Sequence, residues 1–299
     1  MTQESNQLPT FSVVVPSYNR PARLTQMLAG LSELDYPVNC WDVIVVDDGS
    51  QEFLDPAVQS VSLPVSVRCV RQDNSGPGVA RNTAAKISEM DYLAFTADDC
   101  RPAPDWLARF AAAFKTNGLE RALIGGTVRH ALPDELCPTA SHLLVEYLKS
   151  VQNADKPQLF TPNNLAVHRR TFLEAGGFCD AFGATGEDRE FCDRWTSLGH
   201  ETGLETKAVV DHAHPQTLIG FLKQHYAYGV GSARFRALRD GEGQQAVPEP
   251  LGFYLRLILS PMQSGHSRKF KLMTLLLMSQ VVNACGALSE QFSDRDDER

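Results

Sequence analysis

At 299 residues the chain exceeds one average domain, yet it fits a single large α/β core carrying an extension. A formal charge of -8 excludes generic nucleic-acid binding, because a protein that coats phosphates needs a basic surface to release counterions. Seven cysteines with no C-x-x-C spacing point to reduced, buried thiols, and the start MTQESNQLPT has neither a basic region nor an apolar run, so a cytoplasmic protein is expected.

In chain order, Phe11 to Pro16 and Trp41 to Asp47 are short β-branched runs closed by turn residues, and both read as buried parallel strands. Between them Leu24, Met27, Leu28 and Leu31 recur at helical spacing after Pro21, which suits a first turn. Val65 to Val70 reads as a third strand, Pro77 to Ile87 as a helix, Tyr92 to Thr96 as a fourth strand and Pro104 to Phe114 as a helix. The alternation predicts an α/β fold: a twisted, mostly parallel, Rossmann-like sheet flanked by helices, with ligands at the carboxyl ends of its strands.

Further on, Ala122 to His130 reads as a strand, Ser141 to Val151 and Glu187 to Leu198 as helices, and Lys207 to Val210 as a strand. Pro215 to Leu238 is a longer helical stretch in which Gly229 and Gly231 suggest a bend. Within it, Gln224 to Gly229 reads as a lid or, with more weight on its aromatics, as core. A polar linker over Asp240 to Pro250 precedes a helical C-terminal extension.

Two acid pairs close predicted strands: Asp47 and Asp48 before Gly49, and Asp98 and Asp99 after Ala97. Each pair reads either as a capped turn or as a ligand site. Their recurrence at one sheet edge favours the ligand, since a divalent Mn2+ or Mg2+ ion would join the carboxylates and spend its other positions on a diphosphate. Asp73 to Asn82 places Gly76 and Arg81 around a helix N-terminus that phosphate or ribose can approach. Asn163, Asn164 and Arg169 carry amides and a guanidinium suited to an acceptor, while Arg169 and Arg170 equally suit solvent. Glu187 and Asp188 open a helix, as acids that either complement its dipole or do chemistry.

With these residues in view the chain resembles family-2 glycosyltransferases of the GT-A fold. The likeness is carried by VVVPSYNR at Val13 to Arg20, VVDDGS at Val45 to Ser50, DNSGPGVARN at Asp73 to Asn82, FTADDC at Phe95 to Cys100 and GEDREFCDRW at Gly186 to Trp195. The resemblance implies a metal-assisted, inverting transfer of a sugar from a nucleoside diphosphate to an acceptor hydroxyl on a glycan, a lipid-linked carrier or another glycoconjugate. It also implies nucleoside contacts from Pro16, Tyr18 and Asp48, and Asn19, Arg20, Asp47, Asp73, Gly76, Arg81 and Asp98 are expected to complete the nucleotide-sugar site. Metal ligation falls to Asp99 and His212, acceptor contacts to Asn163, Asn164 and Arg169, and base catalysis to Asp188 beside Glu187. Ala97 stands where many relatives carry the first acid of the DxD site, so a sugar-nucleotide-binding protein without turnover is the alternative. A dinucleotide dehydrogenase is disfavoured, because SYNR follows the first strand where a G-x-G-x-x-G loop is needed.

The expected organisation is a catalytic domain over 1–239, with a nucleotide-sugar half over about 11–130 and an acceptor half over about 131–239, then the linker and extension over 240–299. Arg268 to Leu288 combines basic residues with an apolar run slightly short of a bilayer span, and reads either as a peripheral membrane contact or as a packing helix.

Overall fold

A computed structural model of the chain describes residues 8–116, 119–151, 159–183, 185–241, 249–263 and 266–297. Most of the expected linker therefore lies outside the described residues. The chain divides into two compact units: 1–129 with 160–183 and 191–212, and 130–159 with 184–190 and 213–299.

The first unit is built on an eight-stranded sheet. Its chain order is β1 (Phe11–Ser17), α1 (Pro21–Leu31), β2 (Trp41–Asp48), α2 (Asp55–Gln59), β3 (Val67–Gln72), α3 (Pro77–Ile87), β4 (Tyr92–Phe95), β5 (Cys100–Pro102), α4 (Trp106–Phe114) and β6 (Leu123–His130). After α5 (Leu136–Ser150) of the second unit come β7 (Leu165–His168), α6 (Arg169–Glu174), α7 (Glu187–Ser197) and β8 (Thr202–His212).

The strand order is β3-β2-β1-β4-β7-β6-β8-β5. β3, β2, β1 and β4 run parallel, and β2 is buried along its whole length, as a strand covered on both faces must be. β7 pairs antiparallel with β4 and β6, and β5 pairs antiparallel with β8. The predicted parallel βαβ alternation thus builds one half of a mixed sheet. β5 and β7 are three and four residues long, too short to show a period in the sequence.

In the second unit α5, α8 (Leu218–Gly241) and α10 (Lys269–Asp297) gather Ala140, Phe221, Leu272 and Leu275 into a buried cluster, and α9 (Leu251–Gln263) precedes α10 in the chain. α8 is one continuous helix through Gly229 and Gly231. Gly229 is there because a Cβ would strike the Asn283 carbonyl of α10, so the missing side chain brings two helices together.

The Gln224 to Gly229 segment lies within α8, where His225 is buried between Phe221 and Tyr228 with Ser141 Oγ 3.5 Å from its Nε2. Burial pushes the His225 imidazole down to about 4. A group depressed on folding contributes fully above its unfolded value near 6.5, and the contribution drains away as pH falls toward 4, where the folded protein also takes up the proton. Urea unfolding across that interval is expected to show a loss of roughly 3 kcal/mol that His225→Gln lacks.

Candidate functional site

The sheet order places β1 between β2 and β4, with the chain moving outward from β1 through β2 to β3 and then crossing to β4 on the other side, so the crevice at this topological switch opens beyond Ser17, Asp48 and Phe95. Asp98 follows β4 into it and is only 4% exposed. Ser17 Oγ donates to Asp98 Oδ2 at 2.7 Å and Arg20 Nη1 to Oδ1 at 3.2 Å. Burial pushes the Asp98 carboxyl up, opposed by the Arg20 guanidinium and the Ser17 hydroxyl. Ala97, partly buried, rests against the main core of the unit.

Asp99 looks toward a different set of partners. His212 Nε2 lies 3.3 Å from its Oδ1, while Arg20 Nη1 and Arg23 Nη1 lie 3.8 and 3.9 Å from its Oδ2. The antiparallel ladder of β5 and β8 sets Cys100 opposite His212, which delivers the imidazole to the acid loop. Ligand atoms of Asp99, Cys100 and His212 all fall within 4.8 Å of one another. A carboxylate oxygen and an imidazole nitrogen suit Mn2+, and Asp99 alone suits Mg2+. The Cys100 thiol is held well above its ordinary range by burial, with Asp99 adding to the effect.

The loop after β3 is organised by Asp48. Its Oδ1 accepts from Ser75 N–H at 3.0 Å and Gln72 Nε2 at 2.8 Å, and its Oδ2 from Gly76 N–H at 2.9 Å. Gly76, with φ of 93°, caps α3 in a left-handed conformation, and a side chain there would meet the Gly183 carbonyl. Asp47 instead shapes its own turn by accepting from the N–H groups of Ser50 and Leu54 at 2.9 and 3.2 Å. Asn19 takes a positive φ of 55°, donates its N–H to Ser50 Oγ and accepts from Gln51 N–H, which locks the β1 and β2 loops together. Pro16 ends the buried run of β1, Tyr18 is 46% exposed beside it, and Asp73 is exposed at the loop. Arg81 is buried on α3 with its guanidinium over the Phe178 ring.

The residues expected on the acceptor side are placed differently. Asn164 is 1% exposed: its Oδ1 accepts from Trp106 Nε1 and its Nδ2 donates to the Thr127 and Ala208 carbonyls. Arg169 Nε donates to Ala85 O, and its backbone N–H to Asp91 O, just before the start of β4. Since His168 pairs with Tyr92, Arg169 stands at the end of the sheet opposite Asp98 and Asp99. Asn163 Oδ1 accepts from Thr161 Oγ1. Glu187 and Asp188 fall in the second unit at the start of α7, Glu187 buried and Asp188 half-buried with its Oδ1 accepting from Arg189 N–H.

Ser17, Arg23 and Cys100 join the site without having been singled out. Arg23 was legible as the residue one helical turn beyond Arg20, and Ser17 as the hydroxyl closing the first strand.

The sequence profile of glycosyl transferase family 2 matches residues 12–172, and the chain belongs to that family. It is a glycosyltransferase with a GT-A-like fold. It is 25% identical over 230 residues to glycosyltransferase AglE of Haloferax volcanii, covering 76% of this chain and 74% of that one. It is 35% identical over 105 residues to hyaluronan synthase of Pasteurella multocida, covering 34% of this chain but only 10% of the synthase.

Among solved structures, mannosyltransferase PcManGT from Pyrobaculum calidifontis, in complex with GDP-Man and Mn2+, superposes with a TM-score of 0.65 at 18% identity, covering 95% of this chain and 88% of that one. Staphylococcus aureus TarS 1–349 in complex with UDP gives 0.53 at 17% identity over 96% and 92%. At such identities the likeness is one of fold.

The pairing of Asn164 yields a stability prediction. Asn164→Ala strands an indole N–H and two carbonyls in the interior, so the first unit is expected to lose roughly 2–4 kcal/mol in urea unfolding.

Proposed function

We propose that the chain transfers a sugar with inversion from a nucleoside diphosphate to an acceptor hydroxyl, in the assembly of a polysaccharide, glycolipid or other glycoconjugate at the cytoplasmic side. The observation that carries this reading is the approach of Asp99 and His212 to 3.3 Å at the carboxyl edge of the sheet, with Arg20 and Arg23 beside them. An acidic protein needs such a local device to receive a diphosphate.

Asp99 and His212 would hold Mn2+ or Mg2+, which when bound supplies positive charge to the departing diphosphate. Arg20 and Arg23 add fixed charge on the same side, and Asp98 keeps Arg20 and Ser17 oriented. The first-strand segment Pro16, Tyr18 and Asn19, with Asp47, Asp48, Asp73, Gly76 and Arg81, forms the nucleoside and phosphate side, where Asp48 shapes the loop whose N–H groups lead into α3.

Asp188, with Glu187 beside it, takes the proton of the acceptor hydroxyl as its oxygen bonds to the anomeric carbon and the bond from that carbon to the diphosphate breaks. One displacement inverts the centre, with no sugar attached to the protein between steps. Asn163 stays on the acceptor side and Asn164 supports it from the interior, whereas Arg169, at the far end of the sheet, is left out of the acceptor contacts. The catalytic region spans 1–239, with 240–299 as its extension.

A sugar-nucleotide-binding protein without turnover is separated from this reading by product release. With a panel of nucleotide sugars, the full chain is expected to melt higher in the presence of donor and Mn2+, and Asp99→Asn or His212→Ala to lose the Mn2+-dependent part. Release of nucleoside diphosphate is expected to fall roughly 100-fold or more in Asp188→Asn while donor-dependent stabilisation persists. Unchanged turnover in that variant overturns the base assignment, and donor binding without any release selects the non-catalytic alternative.

A further inference from the structure

α10 carries two apolar faces, and only one of them is used within the second unit. Leu272, Leu275, Leu276 and Ala287 are buried, whereas Phe270, Leu277, Val281 and Leu288 are each at least half exposed. Their spacing of seven, four and seven residues lines them along one side of the helix. α9 repeats the arrangement, burying Phe253 and Leu257 while Leu251, Leu255 and Leu259 face outward at intervals of four. Exposed apolar stripes on two consecutive helices exceed the scattered single residues of an ordinary surface.

The charge around these stripes is as uneven as their hydrophobicity. The chain holds 36 acidic residues, yet not one falls between Pro250 and Ser289, where Arg256, Arg268, Lys269 and Lys271 all lie. Arg268 is spent on the Pro133 and Asp134 carbonyls, while Arg256 and Lys271 are exposed. In a protein of net charge -8 this is a segregated cationic, apolar surface.

We propose that the outer faces of α9 and α10 dock on an anionic lipid surface, with the helices lying in the interface. By length and composition Lys269–Phe292 is long and apolar enough to cross a bilayer. Its inner side, however, is fixed to α8: Tyr226 Oη donates to Ser289 Oγ at 2.7 Å, Arg234 Nε to Glu290 Oε1 at 2.6 Å, and Asn283 abuts Gly229. Crossing would break that face and take Glu290 away from Arg234 toward the membrane unpaired. Lying flat keeps it intact, sinks the exposed leucines to the acyl boundary and leaves the ammonium groups among lipid phosphates. A twofold contact between two copies would set this cationic face against itself, which charge complementarity disfavours.

Flotation of the full chain with vesicles tests the assignment. It is expected to rise with phosphatidylcholine vesicles containing phosphatidylglycerol, to stay behind with phosphatidylcholine alone, and to be released by high salt. The pairs Lys269→Glu with Lys271→Glu, and Leu277→Asp with Val281→Asp, are expected to lower the bound fraction roughly tenfold. These side chains lie on the surface, so melting temperatures should be close to that of the parent. Should a pair fail to fold, Arg256→Gln with Lys271→Gln takes its place. A chain that ignores anionic vesicles overturns the proposal, and so does a lipid-free dimer that Leu277→Asp splits. Donor-dependent stabilisation measured on the same preparations keeps this failure distinct from a failure of the transferase reading.

Discussion

Carboxylates gathered at one edge of a sheet repel each other, and the first unit is arranged around their neutralisation. Asp47 takes two backbone N–H groups from its own turn, and Asp48 takes two more from the loop ahead of α3 together with the Gln72 amide. Asp98 is held by Ser17 and Arg20, while Asp99 faces Arg20, Arg23 and His212. Three of these acids become parts of loops, because their oxygens already accept from fixed donors. Asp99 differs in facing an imidazole, a group that serves equally as a metal ligand. Four acids of one residue type in sequence thus acquire different surroundings from their neighbours alone.

Much of this was legible in the sequence because the parallel half of the sheet is buried on both faces. Strands such as FSVVVP and WDVIVVD announce themselves by their short β-branched runs, and the acids that end the second must sit at the carboxyl edge. The other half was less visible: β5 is three residues long and β7 four, so neither shows a period, and their antiparallel pairing is a property of tertiary contact.

The same limit applies to single side chains. Nothing local distinguishes Asn163 from Asn164, yet the second is consumed by an indole and two carbonyls. Gly229 looked like a place for a helix to bend because a missing Cβ raises flexibility, and it proves to be a place for a second helix to approach. In both cases the deciding partner lies far away in the chain, at Trp106 and Asn283. Arg169 shows the converse: its guanidinium is suited to an anion, but its strand runs opposite to β4 and carries it to the far edge.

The ladder that sets Cys100 opposite His212 has a kinetic consequence. β5 follows β4 almost at once, but its partner is the last strand of the unit, with α4, β6, α5, β7, α6 and α7 intervening. Such a non-local pairing forms late, since the closure entropy of the long intervening segment opposes it until other contacts have shortened the loop. During synthesis the nucleotide-side turns are complete long before β8 leaves the ribosome, so the nascent chain carries a finished acidic loop without its imidazole. The approach of Asp99 and His212 would then arrive in a single late step, with the closing of the sheet's final pair of strands.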